Sequence, residues 1–186
     1  MIVIKLGGSL ATSGKLQSCL DKIDEDYQGR AVVIVPGGGV FADQVRQMQD
    51  QLQFDDRTAH RMAILAMQQM ALLLTALKPQ FKIAASVAEI CEQTVQQTVS
   101  IWSPDIKEPD MAGIPSTWDI TSDSLSAWLA KTVGADELIL VKSGNIDADF
   151  NVLKLMQDQV VDASFAEYIQ QANFNLNIVN AEKFLS

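Results

Sequence analysis

Two lysines end apolar runs in this chain, and small residues follow each at once. Lys5 precedes Leu6-Gly7-Gly8-Ser9, and Lys142 precedes Ser143-Gly144. A third small-residue cluster, Gly37-Gly38-Gly39, follows VVIV (32–35) and Pro36. An ammonium beside closely approaching backbone N–H groups is chemistry for an oxyanion. Glycine removes the Cβ that keeps a phosphate away from the amides, and lysine supplies a compact point charge. Asp119 and Asp123 bracket the start of a helical stretch within 118–142, where a carboxylate can orient lysines or a magnesium–nucleotide complex. Each feature also has a plainer reading. Gly-Gly after a strand is often a tight turn, Thr121, Ser122 and the aspartates can merely cap a helix, and Lys142 can be a solvated charge. Two glycine clusters after strands, one preceded by lysine, favour anion binding. Neither is a standard nucleotide fingerprint: the Walker A order places its lysine after the glycines, and GxGxxG is absent.

The elements that must position these groups are legible in the apolar pattern. Residues 2–6, 32–35, 82–85, 99–102, 137–141 and 176–179 read as strands, with a weaker strand at 160–161. Helices are expected over 40–52, 58–77, 86–95, 121–132 and 164–172, the third with Ser86 as its cap and Glu89 three residues on. The segment after 102, with Pro104, Pro109, Gly113 and Pro115, reads as a structured loop. Apolar strands alternating with helices, without a hairpin signal, predict an α/β fold: a three-layer αβα sandwich on a mostly parallel central sheet. Such sheets bind ligands beyond the carboxyl ends of their strands, where both glycine clusters fall. The helix after Gly39 would then aim its N-terminus at the bound anion.

A length of 186 residues predicts one compact domain over 1–186. The net charge of -9 argues against a general nucleic-acid binder but leaves room for a lysine serving a phosphate in a glycine-lined pocket. Cys19 and Cys91 form no metal or redox motif and read as reduced thiols of a cytoplasmic protein. No signal peptide is evident, and MAILAMQQMALLLTAL (62–77) reads as a core helix, not a membrane span. Arg57 and His60, near the start of that long helix, are candidates to read an acceptor's anion, although a lone histidine there can equally be a partly buried polar residue. Met62, Met67 and Met70 read as core. Trp118 is a packing residue or lines a flat acceptor ring.

Together IKLGGS (4–9), VPGGGVFADQVR (35–46), HRMAILAMQQMA (60–71), WDITSDSLSAWLA (118–130) and VVDASF (160–165) resemble the amino acid kinase superfamily. The similarity spans nearly the whole chain and is nearest the small branch of aminomethylfuran phosphate kinases of methanofuran-type cofactor synthesis. It implies transfer of the γ-phosphoryl group of ATP, with Mg2+, onto a small phosphorylated metabolite. The furan methyl phosphate of that branch would yield a diphosphate. Carried onto these positions, Lys5, Asp123 and Lys142 would be catalytic, Asp123 organising the lysines. Lys5, Gly7, Gly8, Ser9, Asp119, Ser143 and Gly144 would bind nucleotide, and Gly37, Gly38, Gly39, Arg57, His60 and Trp118 the acceptor. The resemblance also implies a homodimer. An amino-acid or carbamate kinase is the same-chemistry alternative, and a non-catalytic oxoanion-binding or storage protein the other. The chain departs from the family pattern at LVKSGNID, where many members carry Thr-Asp-x-x-Gly, and at IVNAEKF, where Ala181 replaces a glycine. Whether Lys142 or Lys154 is the second phosphate-binding cation stays open at this point.

Overall fold

The computed structural model describes residues 1–146 and 150–186; Asp147, at the end of the LVK-containing run, lies outside the described residues. The chain forms β1 (Ile2–Leu6), α1 (Leu16–Asp26), β2 (Val32–Pro36), α2 (Gly39–Leu52), α3 (Asp56–Leu77), β3 (Lys82–Ala84), α4 (Val87–Val95) and β4 (Val99–Trp102). Then come α5 (Lys107–Met111), α6 (Ser122–Thr132), β5 (Glu137–Lys142), α7 (Val152–Gln157), α8 (Phe165–Ile169), β6 (Asn175–Asn180) and α9 (Ala181–Leu185). The strands make one sheet in the order β3-β4-β2-β1-β5-β6, and each pairing among the described residues is parallel.

Alternation along the strands divides the core into two. Ile2, Ile4 and Leu6 pack with Leu16, Leu20 and Ile23 of α1 and with Phe184 of α9. Val3, Leu138 and Leu140 pack on the opposite side with Leu125 and Leu129 of α6, Ile90 of α4 and Phe165 of α8. Strands buried on both faces need helices on both faces, so the layers follow from composition. The same parity has a chemical consequence. Lys5 shares its face with Val3, and Lys142 shares its face with Leu138 and Leu140, so both lysines belong to the α6 side. β1 and β5 are neighbours, with Lys5 paired in register to Leu140. Lys142 is therefore one strand over and two residues further on, about 8 Å away between Cα atoms. The chain lays β2, β4 and β3 to one side of β1 before β5 starts the other side. The β1/β5 boundary is thus the topological switch point, where a crevice opens at the carboxyl ends.

Three local expectations change. Residues 160–161 are a bend, because the Val160 and Val161 amides both donate to the Leu155 carbonyl and close α7. The helix expected over 164–172 is confined to Phe165–Ile169, with Gln171 in the left-handed region at φ 55°. The segment after Trp102 contains α5 as well as loop. At α4, Ser86 Oγ accepts from the Glu89 amide at 3.2 Å while Glu89 accepts from the Ala85 amide at 2.8 Å. Among the described residues no helix is long and apolar enough to cross a membrane.

Candidate functional site

At the switch point Asp123 sits between the two lysines. Lys5 Nζ lies 2.8 Å from Asp123 Oδ1, and Lys142 Nζ lies 2.7 Å from Asp123 Oδ2. The Lys5, Asp123 and Lys142 side chains are 5%, 6% and 13% exposed, so three charges share a desolvated space. Lys142 donates a hydrogen bond to Asp123 and another to the Val160 carbonyl at 2.5 Å. The Lys5 contact is ionic but lies outside hydrogen-bond alignment, which leaves its donors for another acceptor. Burial works against ionising Asp123, but the charges of Lys5 and Lys142 outweigh it and hold the carboxyl below its usual range. Burial, then the neighbouring Lys5 charge, brings Lys142 down to about 8 against the opposing pull of Asp123.

Asp123 is presented by the first turn of α6, whose N-cap is Thr121. That turn is clamped from 38 to 41 residues away by Asp162. Its carboxylate accepts from the Thr121 amide (2.8 Å), the Thr121 hydroxyl (2.9 Å), the Ser124 amide (3.0 Å) and the Ser124 hydroxyl. Burial raises the Asp162 carboxyl, as does the Asp123 charge, while these hydrogen bonds oppose the rise. An acid at a helix N-terminus answers amides that have no partner within the helix.

Of three clefts here, the second and third open on this cluster, and the first shares lining residues with both. The first, about 260 Å³, runs between α2 and α3 and is lined by Gly8, Gly37, Gly38, Gly39, Trp118 and Thr121. Gly39, Ala42, Asp43 and Arg46 of α2 and His60, Ala63, Ile64 and Met67 of α3 also face it, each a stripe at three- and four-residue spacing. The second is lined by Lys5, Gly7, Gly8, Ser9, Lys142, Ser143, Gly144, Asn145, Gln159 and Val160. The third includes Arg46, Trp118, Thr121, Asp123, Lys142 and Asp162. Ser9 and Ser143 hydroxyls, 2.8 Å apart, join the loops at one rim. Burial lowers His60, opposed by the Thr117 backbone and the Asp110 charge, so the site favours the neutral imidazole.

The glycines act differently from the reading that each opens an amide to an anion. A Cβ on Gly8 would stand 2.3 Å from the Gly39 nitrogen, and one on Gly37 2.5 Å from the Gly8 nitrogen. The two loops are interlocked backbone to backbone, and that contact demands glycine. The Gly7 amide donates to the Val141 carbonyl at 2.9 Å and the Gly37 amide to the Leu6 carbonyl at 2.8 Å, so neither is available to a ligand. Among the described residues the amides of Gly8, Gly38 and Gly39 have no such partner. These are the loop amides left open to a ligand, with Gly38 at the N-cap and Gly39 at the first position of α2.

Other expected site residues are dispersed. Arg57 is exposed and lines none of these clefts, and Asp119 is exposed with its carbonyl accepting from the Ser164 amide at 3.0 Å. Lys154 is exposed on α7, away from Lys5. Lys142 is the second cation beside Asp123. Sequence reading passes over Arg46 and Asp162, although both lie inside the matched runs VPGGGVFADQVR and VVDASF. Among the described residues no group of three or more His, Cys, Asp or Glu side chains is placed to hold a metal.

The amino acid kinase family matches residues 1–152 of the chain. A (5-(aminomethyl)furan-3-yl)methyl phosphate kinase of Methanocaldococcus jannaschii is 25% identical over 193 residues, covering 97% of this chain and 88% of the relative. Among solved structures, uridylate kinase from Archaeoglobus fulgidus is similar at a TM-score of 0.73 and 19% identity, over 99% of this chain and 93% of that one. UMP kinase from Ureaplasma parvum gives 0.68 at 21% identity, over 99% and 91%. The structural likeness is one of fold.

Proposed function

The chain belongs to the amino acid kinase family, and from that premise we propose that it is an ATP-dependent kinase of a small phosphate ester. The acceptor we infer is an aminomethylfuran methyl phosphate, the compound named for the Methanocaldococcus relative, and the product its diphosphate. The observation that carries this reading is Asp123 buried between Lys5 and Lys142 at the β1/β5 switch point. One carboxylate there orients two ammonium groups toward the clefts at once.

The chemistry follows from charge. An oxygen of the acceptor phosphate attacks the γ-phosphorus of ATP, a new O–P bond forms, and the bond to the β–γ bridging oxygen breaks as ADP leaves. The acceptor oxygen is already anionic at neutral pH, so no general base is required. Repulsion between the two polyanions is the obstacle, about 4 kcal/mol for unit charges 4 Å apart at an effective dielectric of about 20. In this reading Lys5 offsets it at the transferring group and Lys142 on the nucleotide side. The Gly8, Gly38 and Gly39 amides hold oxygens of the acceptor in line, which is the positioning that phosphoryl transfer chiefly needs. The serine–glycine rim at 143–144 faces the nucleotide, and the α2–α3 cleft with Trp118 takes the acceptor. Magnesium would come as the counter-ion of the nucleotide's phosphates and would supply charge neutralisation there.

The test is ADP release by purified protein with ATP and magnesium, against a panel of furan methyl phosphate, isoprenoid phosphate and amino-acid acceptors. Release should depend on the furan phosphate. ATP turnover that no acceptor increases would overturn the kinase reading. We also infer a homodimer through α2 and α3. Met48 and Leu52 on α2 and Leu65 and Leu72 on α3 are exposed, each pair at a spacing that puts it on one side of its helix. Sedimentation should show a dimer at micromolar concentration, and Leu65→Glu with Leu72→Glu should give a monomer. A wild-type monomer at that concentration refutes the association.

A further inference from the structure

We propose that Arg46 recognises an anionic group, phosphate or carboxylate, carried by the acceptor, and is the residue that selects charged acceptors over uncharged ones. This rests on placing the acceptor in the α2–α3 cleft. The Arg46 guanidinium carbon lies 4.2 Å from the centre of the Trp118 ring, a stacking distance. Trp118 is itself fixed, its indole N–H donating to Gln49 Oε1 at 2.6 Å. Stacking holds the guanidinium plane and leaves its edge N–H groups free for a bidentate contact with an oxyanion. Arg46 lines both the acceptor cleft and the neighbouring cleft that contains Asp123 and Lys142. It is thus at the border that a charged acceptor must share with the transferring phosphate.

The electrostatics of the cleft give it that task. His60 is the other basic side chain lining the acceptor cleft, and burial favours its neutral form. Asp43 reaches Arg46 at 3.7 Å, but both side chains are largely exposed, so an entering anion competes with a weak pair. Arg46 also lies seven residues along α2 from Gly39, about 10 Å of helix rise. The amides at the N-terminus of α2 and the guanidinium therefore meet a ligand at two separated points along one wall.

Binding measured without turnover tests the assignment. Phenyl phosphate and benzoate are flat probes carrying the two candidate anions, and benzyl alcohol is the uncharged control. Calorimetry should show phenyl phosphate, benzoate or both binding to the wild type. Arg46→Met should weaken the bound anion at least tenfold, leave benzyl alcohol unchanged and keep ATP affinity within twofold. Arg46→Lys should fall between, since it keeps charge but not the fork, and it serves as the folded variant if Arg46→Met does not fold. Trp118→Leu should reproduce part of the loss and Trp118→Phe little of it. Whichever probe depends more on Arg46 identifies the anion. The assignment is overturned if neither anion binds the wild type, if Arg46→Met binds them as the wild type does, or if ATP affinity falls as much as theirs. Anion binding that depends on Arg46, in a protein without acceptor-dependent ATP turnover, would remove the kinase reading and keep this site.

Discussion

Replacing Asp123 by Asn removes one negative charge from a site where two ammonium groups lie 2.8 and 2.7 Å from it. Breaking a buried ion pair costs about 3–5 kcal/mol when the orphaned partner must stay charged. Lys142 need not, because its pKa is already about 8 with Asp123 in place. At pH 7.5 it lies only about half a unit from losing its proton, so its added cost is limited to about 1 kcal/mol before it becomes neutral. The variant should therefore fold but hold one cation fewer. Asparagine occupies the same space in the first turn of α6, whose cap comes from Thr121 and Asp162, so the helix start should survive. Turnover at saturating ATP and acceptor should fall at least tenfold at pH 7.5, equivalent to about 1.4 kcal/mol of transition-state stabilisation. The direction with pH is the sharper readout. In the wild type, activity that needs the ammonium form is present below pH 8 and declines as pH rises through it. In Asp123→Asn the decline should move to lower pH, because the carboxylate that raises Lys142 is gone, so acidification restores part of the loss. Turnover measured from pH 6 to 9, with thermal unfolding alongside, checks both. A folded variant with more than half the wild-type turnover at pH 7.5 and an unmoved alkaline limb would refute the reasoning and leave Asp123 a helix-start residue.

Lys5→Ala should fold and lose roughly a hundredfold or more in turnover with little change in acceptor binding, as expected for a contact that strengthens in the transition state; near-normal turnover excludes the role. Gly8→Ala should destabilise the protein by about 1–3 kcal/mol, because its Cβ would meet the Gly39 nitrogen at 2.3 Å, whereas Gly144→Ala has no atom within 4 Å of its Cβ and should unfold at the wild-type temperature. Equal melting temperatures for the two count against the interlocked loops. Asp162→Ala leaves the Thr121 and Ser124 amides without their partner, at a cost of about 1–3 kcal/mol, and should also lower turnover by displacing Asp123. A loss of stability with unchanged turnover would confine Asp162 to the fold.

Much of this protein was legible along the chain. The α/β sandwich and parallel sheet followed from buried apolar strands alternating with helices, and each strand end flagged its own chemistry through Lys5-Leu6-Gly7-Gly8 and Lys142-Ser143-Gly144. α1 went unread, although Leu16, Cys19, Leu20 and Ile23 fall at helical spacing and all are buried. What tertiary structure alone decided was which groups meet. Strands apolar on both faces carry no alternation that tells which way Lys5 and Lys142 point, so strand pairing and register had to bring both onto the α6 face. Lys142 and Lys154 were equivalent as lysines until β5 settled beside β1 and α7 kept Lys154 at the surface. The glycines looked like openings for a ligand, and only the fold showed Gly8 and Gly37 facing each other across two loops about thirty residues apart. Asp162 and Arg46 carried no local signal of their role, because a carboxylate gains its meaning from amides 38 to 41 residues away and a guanidinium from the indole it stacks on. Local sequence sets what each side chain can do and which element it rides on. Long-range pairing decides which charges share a desolvated space, and there their energies become large enough to matter.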